Sequence, residues 1–272
     1  MNLNQLINML DLSKVDHDEI KSIGERRGFM KKAGQFSLKA ALATLPIALT
    51  MMPRIAKAQG STTIDVLNFA LLLEYLERDF YKMGLDSSAL IPSGDRQVFE
   101  TIYQHEVAHV EFLRAALGSA QDEVPEFDFT AGGMFPNGFT DYPTFLTLSQ
   151  AFEDTGVRAY KGQAGNLQPA DEVLTAALQI HSVEARHASM VRRLRGQRAN
   201  LEIKGWITNA ESNNAPQAVY EGEDATTHAG ADLNSIVSIT DISAAARTEA
   251  FDEPLTKEQV VEIVNPFIVK RA

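Results

Sequence analysis

Two short stretches of this sequence decide its fold: HEVAHVEFL at residues 105–113 and IHSVEARHA at residues 180–188. Each contains a glutamate followed three residues later by a histidine. The two pairs are Glu106 with His109 and Glu184 with His187. Residues three apart on a helix point in nearly the same direction, so the carboxylate and the imidazole of one pair can bind the same metal ion. A single pair is common on solvated helix faces, whereas two pairs in matched surroundings indicate a metal site.

The sequence around these pairs has the apolar spacing of four long helices. We predict helices at residues 63–82, ended by Gly84; at 95–117, capped by Ser93 and ended by Gly118; at 143–164; and at 169–195. The segment 119–141 contains four phenylalanines among Gly and Pro, so we expect it to cross the bundle as a packed connection. An all-α four-helix bundle with a long crossover between helices two and three has the ferritin-like topology.

The first and third predicted helices each offer one further carboxylate on an apolar face. Glu74 lies 32 residues before Glu106, and Glu153 lies 31 residues before Glu184. A tyrosine follows each of these first glutamates seven residues later. The two tyrosines are Tyr81 and Tyr160. This repeat predicts two helical hairpins related by a pseudo-twofold axis, with four carboxylates and two imidazoles around one central site.

The arrangement resembles the ferritin-like di-metal carboxylate superfamily, in which two helices give one Glu each and the other two give a Glu-x-x-His pair each. Within that superfamily, the two stretches quoted above and residues 249–268, EAFDEPLTKEQVVEIVNPFI, resemble exported ferritin-like proteins of the desiccation-related group. The resemblance spans nearly all of residues 59–272. It implies two iron ions, or alternatively two manganese ions. The implied ligands are Glu106 and Glu184 as bridges, Glu74 and Glu153 as terminal carboxylates, and His109 and His187 on one ion each.

Two nearby carboxylates compete for the terminal positions. Glu77 could replace Glu74, although the apolar neighbours of Glu74 and its spacing to Tyr81 favour Glu74. Asp154 could replace Glu153, but a lysine instead of an aromatic residue follows it seven positions later. We therefore expect Glu74 and Glu153 to be the ligands of the first and third helices.

Two histidines and the two tyrosines have roles that the sequence leaves open. His105 and His181 precede the two pairs, and they could be extra ligands, hydrogen-bond donors to the ligands or ordinary core histidines. Tyr81 and Tyr160 could take part in one-electron chemistry or hydrogen-bond the site, and packing in the core explains them equally well.

Composition restricts the chemistry further. The 272 residues include no cysteine, which excludes disulfides, thiolate zinc sites, iron–sulfur clusters and a cysteine nucleophile. A metal must therefore be held by oxygen and nitrogen atoms. The net charge of −11 argues against a nucleic-acid partner, because phosphate backbones are bound by clusters of Lys and Arg.

Residues 1–58 have the order of features of an export signal. Arg26 and Arg27 open the run RRGFMKKAG, an uncharged stretch follows at 40–53, and residues 56–58 read Ala-Lys-Ala before Gln59. The paired arginines resemble the twin-arginine export motif, and the apolar run is shorter than the about 20 residues of a spanning helix. We predict a mature chain of residues 59–272 that the twin-arginine machinery exports to a bacterial periplasm, without a stable membrane span.

The mature chain is predicted to form a bundle at residues 59–198 and a loop-rich extension at 199–272. A capping box at residues 256–259 opens a short helix in the extension. We expect Trp206 to anchor the extension and His228 to lie at the surface. The resemblance implies redox or metal-handling chemistry with dioxygen or peroxide, of the ferroxidase, peroxidase or catalase type, in stress protection. A structural desiccation-related bundle, an iron-storage subunit and a homodimer all stay open.

Overall fold

Four long helices form the body of the molecule, and the two helices of each hairpin run antiparallel. The computed structural model describes residues 61–168, 170–236 and 242–269, so the predicted leader at 1–58 lies outside the described residues. The bundle helices are α1 (Ser61–Asp86), α2 (Ser93–Leu117), α3 (Tyr142–Gln163) and α4 (Asp171–Ala199). Helix α1 packs mainly on α2, and α3 packs mainly on α4, which gives the two predicted hairpins. The all-α bundle with a long crossover is therefore confirmed.

Helix α1 does not end at Gly84, where the sequence predicts its end. It continues to Asp86, and Gly84 is a packing residue. A Cβ atom on Gly84 would lie 2.3 Å from the ring of Phe145 on α3, so only glycine allows this close approach. From the sequence alone, a glycine at this position predicts the end of a helix. The neighbouring helix that requires a glycine here is distant in the chain, so no local pattern reveals the contact.

The other helix ends mostly follow local signals. Helix α2 begins at Ser93, directly after Pro92. Ser93 is therefore the first residue of the helix and not its cap, contrary to the sequence prediction, and no side chain caps α2. Gly118 ends α2 with a φ of 56°, as predicted. Asp141 caps α3 by accepting a hydrogen bond from the backbone N–H of Thr144.

The crossover between α2 and α3 is packed against the bundle by its aromatic residues. It begins with a 3₁₀ turn at Gly118–Ala120. The rings of Phe129 and Phe139 lie 5.4 Å from the ring of Phe80, which also stacks on Phe145 at 4.9 Å. Such aromatic clusters bury a large apolar area, and this one fills the end of the bundle that contains the last turns of α1.

The C-terminal extension consists of loops and short elements on the bundle. These elements are 3₁₀ turns at Gln217–Tyr220 and Asn265–Phe267, strands β1 (Thr227–His228) and β2 (Ala231–Asp232), and helices α5 (Leu233–Ile236), α6 (Ala244–Thr248) and α7 (Lys257–Val264). The strands pair antiparallel. Thr256 and Gln259 form the predicted capping box of α7. A further 3₁₀ turn, Ala164–Leu167, precedes α4.

Trp206 and His228 in the extension have surroundings that differ from those we expect from the sequence. The Trp206 side chain is 47% exposed and is therefore not a buried anchor. Buried Val219 and Tyr220 fill that role. His228 stacks on Phe251 at 3.8 Å and pairs with Glu253. Among the described residues, no helix combines the length and the apolar character needed to cross a membrane.

Candidate metal centre

Six side chains from the four bundle helices meet in the core. The carboxylates of Glu74 (α1), Glu106 (α2), Glu153 (α3) and Glu184 (α4) are 0% exposed. His109 and His187 are 9% and 5% exposed. These side chains form two groups whose ligand atoms lie within 4.8 Å of one another: Glu74, Glu106, His109 and Glu184 in one, and Glu106, Glu153, Glu184 and His187 in the other.

The first group surrounds one nitrogen of His109. Its Nδ1 atom lies 3.1 Å from Oε2 of Glu74, 3.0 Å from Oε2 of Glu106 and 3.2 Å from Oε1 of Glu184. Ligand atoms about 2.1 Å from one ion and at right angles to each other are about 3.0 Å apart. The spacing therefore suits a cation at the point that these four atoms share.

The second group repeats this arrangement around His187. Its Nδ1 atom lies 2.9 Å from Oε1 of Glu106, 3.4 Å from Oε2 of Glu153 and 3.9 Å from Oε2 of Glu184. Glu106 and Glu184 thus face both imidazoles with different oxygens, whereas Glu74 and Glu153 each face one. The geometry therefore distinguishes two shared carboxylates, Glu106 and Glu184, from two unshared ones, Glu74 and Glu153.

The two tyrosines cross between the halves of the site. The hydroxyl of Tyr81 on α1 donates a hydrogen bond of 2.5 Å to Glu153 on α3, and the hydroxyl of Tyr160 on α3 donates to Glu74 on α1. Each tyrosine therefore holds the unshared carboxylate of the other helix, and not the one seven residues before it. The pseudo-twofold relation predicted from the repeat is visible in these two bonds.

Several buried polar atoms of the cluster have no hydrogen bond within the described part of the chain. They are Oε1 of Glu106, Oε2 of Glu153, both carboxylate oxygens of Glu184 and Nδ1 of His187. A buried carboxylate oxygen without a partner costs free energy, and a bound cation removes that cost. These five atoms all belong to the two groups, so the residues fit bound metal ions.

Burial sets the protonation of the cluster. It raises the pKa of Glu74 to about 7 despite the opposing charge of His109, and it raises the pKa of Glu184 well above the ordinary value. Burial also disfavours charge on the imidazoles, but the charge of Glu153 and contacts with Glu106 raise the pKa of His187 to about 11. The same two histidines outweigh burial at Glu106 and lower its pKa to about 2. Protons thus neutralise much of the charge that metal ions would balance.

Neither of the two competing carboxylates, Asp154 and Glu77, belongs to the two groups of ligand atoms. Asp154 points away from the cluster, because it forms an ion pair with Arg192 at 2.6 Å and accepts a hydrogen bond from Tyr220. Glu77 is buried next to the cluster but belongs to neither group. Burial and the charges of Glu184 and Glu153 raise its pKa well above the ordinary value.

The two additional histidines also differ from each other. Nδ1 of His105 lies 2.9 Å from Nε2 of His187, so His105 fixes the orientation of that imidazole from outside the cluster. His181 is half-buried and joins neither group; its Nε2 atom has no hydrogen bond within the described residues. Neither is placed to be a ligand.

Sequence reasoning missed Gly156 on α3. A Cβ atom there would lie 3.1 Å from Oε1 of Glu77 and 3.3 Å from Oε2 of Glu184, so glycine leaves room for both carboxylates. A glycine in the middle of a predicted helix, three residues after a candidate ligand, is the signal that could have identified it.

A buried carboxylate and imidazole cluster at the centre of a four-helix bundle defines a class of helical proteins with a metal-compatible core. A family model described as a ferritin-like domain matches residues 62–197, half of the chain, and the chain belongs to this family. A search of curated proteins gave no significant match. The predicted export and the desiccation-related grouping stay predictions.

Proposed function

We propose that this protein binds a di-iron centre, with di-manganese as the alternative, and carries out redox or metal-handling chemistry with dioxygen or peroxide in stress protection. One observation supports it above the others: each of the two imidazole nitrogens faces three carboxylates, and two of the carboxylates are shared. Shared carboxylates are the arrangement that bridges two ions in di-metal carboxylate bundles.

Charge balance supports a pair of divalent ions. Four carboxylates neutralise two dications, and an isolated dication in a dry core would be prohibitively unfavourable. Oxygen-rich sites with some imidazole suit iron(II) and manganese(II), and carboxylates also stabilise the oxidised ions. A di-iron(II) centre bound by these residues would supply two electrons, enough to reduce dioxygen to hydrogen peroxide, or hydrogen peroxide to two waters, with the uptake of two protons.

In such chemistry, the residues around the cluster position the ligands and exclude water. Tyr81 and Tyr160 hold the terminal carboxylates, His105 holds the ring of His187, and the aromatic core around Phe80 excludes water at one end. Rigid positioning of ligands by neighbouring hydrogen bonds typically improves metal affinity by about 10–100-fold.

The proposal is tested by loading the metal-free protein with iron(II) without oxygen, then adding air or peroxide. We expect bound iron and a change of absorbance on oxidation in the unaltered protein. The double variant Glu106→Ala/His109→Ala is expected to lose both, because it removes one shared carboxylate and one imidazole. Glu111→Ala is the matched control, since Glu111 is exposed on the same helix.

Three results would speak against the proposal. Unaltered metal content in the double variant would place the iron elsewhere. Bound iron that does not respond to air or peroxide would favour a structural bundle. A large closed assembly in light scattering, with many ions per chain, would favour an iron-storage subunit.

Metal binding is expected to release protons and to weaken as the pH falls. Near pH 7 the carboxyl group of Glu74, with its pKa of about 7, is half protonated, and His187, with a pKa of about 11, is protonated. Ligands must lose these protons to bind a cation, so lowering the pH favours the metal-free form. Calorimetric titrations with iron(II) or manganese(II) in two buffers of different ionisation enthalpy measure the release. Equal heats in both buffers would contradict it.

A further inference from the structure

An apolar cavity of about 20 Å³ lies in the bundle next to the candidate metal centre. All four bundle helices line it, at the end where α1 begins and α2 ends. Its walls include Val66, Ala70, Leu113, Tyr160 and Ala177. Tyr160 is the one residue of this wall to which the proposed function gives a role.

The cavity breaks the pseudo-twofold symmetry of the site. Tyr81 is 0% exposed, and its ring lies among Phe80, Phe99 and Phe145 with centroids 5.4–6.3 Å away. Its counterpart Tyr160 is 8% exposed and borders the cavity, whose wall contains aliphatic side chains, two phenylalanines and three alanines. Aromatic rings pack around Tyr81, whereas a cavity remains beside Tyr160.

The lining favours an apolar occupant. Tyr160 and Gln163 are the polar residues in the wall, and both already bind protein atoms. The Tyr160 hydroxyl donates to Glu74, and the side-chain oxygen of Gln163 accepts a hydrogen bond from Asn166 at 3.0 Å. A buried water needs two to four polar partners, so a cavity with this lining stays dry.

One side of the cavity wall lies close to the carboxylates of the candidate metal centre. Tyr160 contacts Glu74 directly, and Ala70 lies one turn before Glu74 on α1. Ile180 lies one turn before Glu184 on α4. One turn of helix is about 5.4 Å, so a molecule in the cavity is separated from the cluster mainly by the Tyr160 side chain.

We propose that this cavity admits and holds dioxygen for the metal centre, an inference that rests on the function proposed above. A void of about 10–15 Å³ is the smallest that holds one water-sized molecule, so a cavity of 20 Å³ accommodates a diatomic gas and excludes a lipid chain. Dioxygen is small and apolar, whereas hydrogen peroxide donates and accepts hydrogen bonds that this wall does not satisfy. The route therefore discriminates between the two oxidants.

Xenon tests the cavity without any metal chemistry, because it binds in dry apolar cavities. Xenon under pressure is expected to bind beside the Tyr160 ring in the metal-free protein, detected by crystallography or xenon NMR. Ala177→Leu fills the cavity and is expected to abolish this binding, with Ala70→Val as a second variant should the first fail to fold. Ala108→Leu, on the exposed face of α2, is the matched control.

The iron-loaded protein tests the route itself. In Ala177→Leu, we expect oxidation by dioxygen to slow by about tenfold or more, and oxidation by peroxide to change by less than about twofold. Iron content is expected to equal that of the unaltered protein. Absence of xenon from the unaltered protein, or an unchanged dioxygen rate after xenon binding is lost, would overturn the proposal. Failure of iron uptake by the unaltered protein would instead refute the proposed function, and xenon would still report on the cavity.

Discussion

Glu184→Ala is expected to abolish binding of both metal ions, whereas Glu153→Ala is expected to leave one ion bound. Glu184 faces His109 and His187 with its two oxygens, so its loss removes a ligand from each position. Glu153 faces only His187, and the group around His109 stays complete without it. Metal content after anaerobic loading and dialysis, measured by elemental analysis, distinguishes the two variants.

The fold is expected to survive both substitutions. In the metal-free state, burial and neighbouring carboxylates already raise the pKa of Glu184 far above the ordinary value, so its removal relieves an unfavourable group. Glu172→Ala, on the exposed face of the same helix, is the control and should retain both ions. If Glu153→Ala loses as much metal as Glu184→Ala, the distinction between bridging and terminal ligands is wrong.

Arg158→Met is expected to lower the free energy of unfolding by about 3–5 kcal/mol, the usual cost of removing one partner of a buried ion pair. Arg158 on α3 is 1% exposed. Its Nε atom lies 2.8 Å from Glu223 and donates to the backbone oxygen of Glu253 at 2.7 Å. Its other nitrogens donate to the backbone oxygens of Val219 and Glu221. One side chain thus ties two parts of the extension, residues 219–223 and Glu253, to the bundle.

Urea unfolding measures this loss, and hydrogen exchange shows whether residues 217–253 open first. The double variant Arg158→Met/Glu223→Leu should recover part of the stability, because it removes the carboxylate left without a partner. Arg186→Met, at an exposed position on α4, should change stability by less than about 0.5 kcal/mol. A loss of similar size in Arg186→Met would show that the buried contacts are not the cause.

The bundle could be predicted because its signals are local. Apolar spacing and the glycine at position 118 place the helices to within a few residues of α1–α4. Gly84 shows the limit of this reasoning. Its role depends on Phe145, which is far away in the sequence, and no local pattern distinguishes a packing glycine from a terminating one.

The six residues of the candidate centre could be chosen because they repeat at a near-constant spacing on predicted helices. The hydrogen bonds and ion pairs around these residues could not be predicted from the sequence. The seven-residue spacing places Tyr81 after Glu74 and Tyr160 after Glu153, but it does not specify that each tyrosine binds the glutamate of the other helix. The sequence distinguishes Asp154 from Glu153 only weakly, whereas the ion pair with Arg192 and the hydrogen bond from Tyr220 hold Asp154 away from the cluster.

The sequence by itself determined the elements of this protein: four helices, a cysteine-free set of oxygen and nitrogen ligands, and a repeat that brings them to one level of the bundle. Periodicity and spacing carry that information because a helix has a fixed rise and turn. The tertiary structure decided which side chains meet across helices: the crossed tyrosines, the room at Gly156, the buried Arg158 and the cavity beside Tyr160. These contacts depend on how side chains of different sizes fill the space between helices, which the order of residues along one helix does not specify.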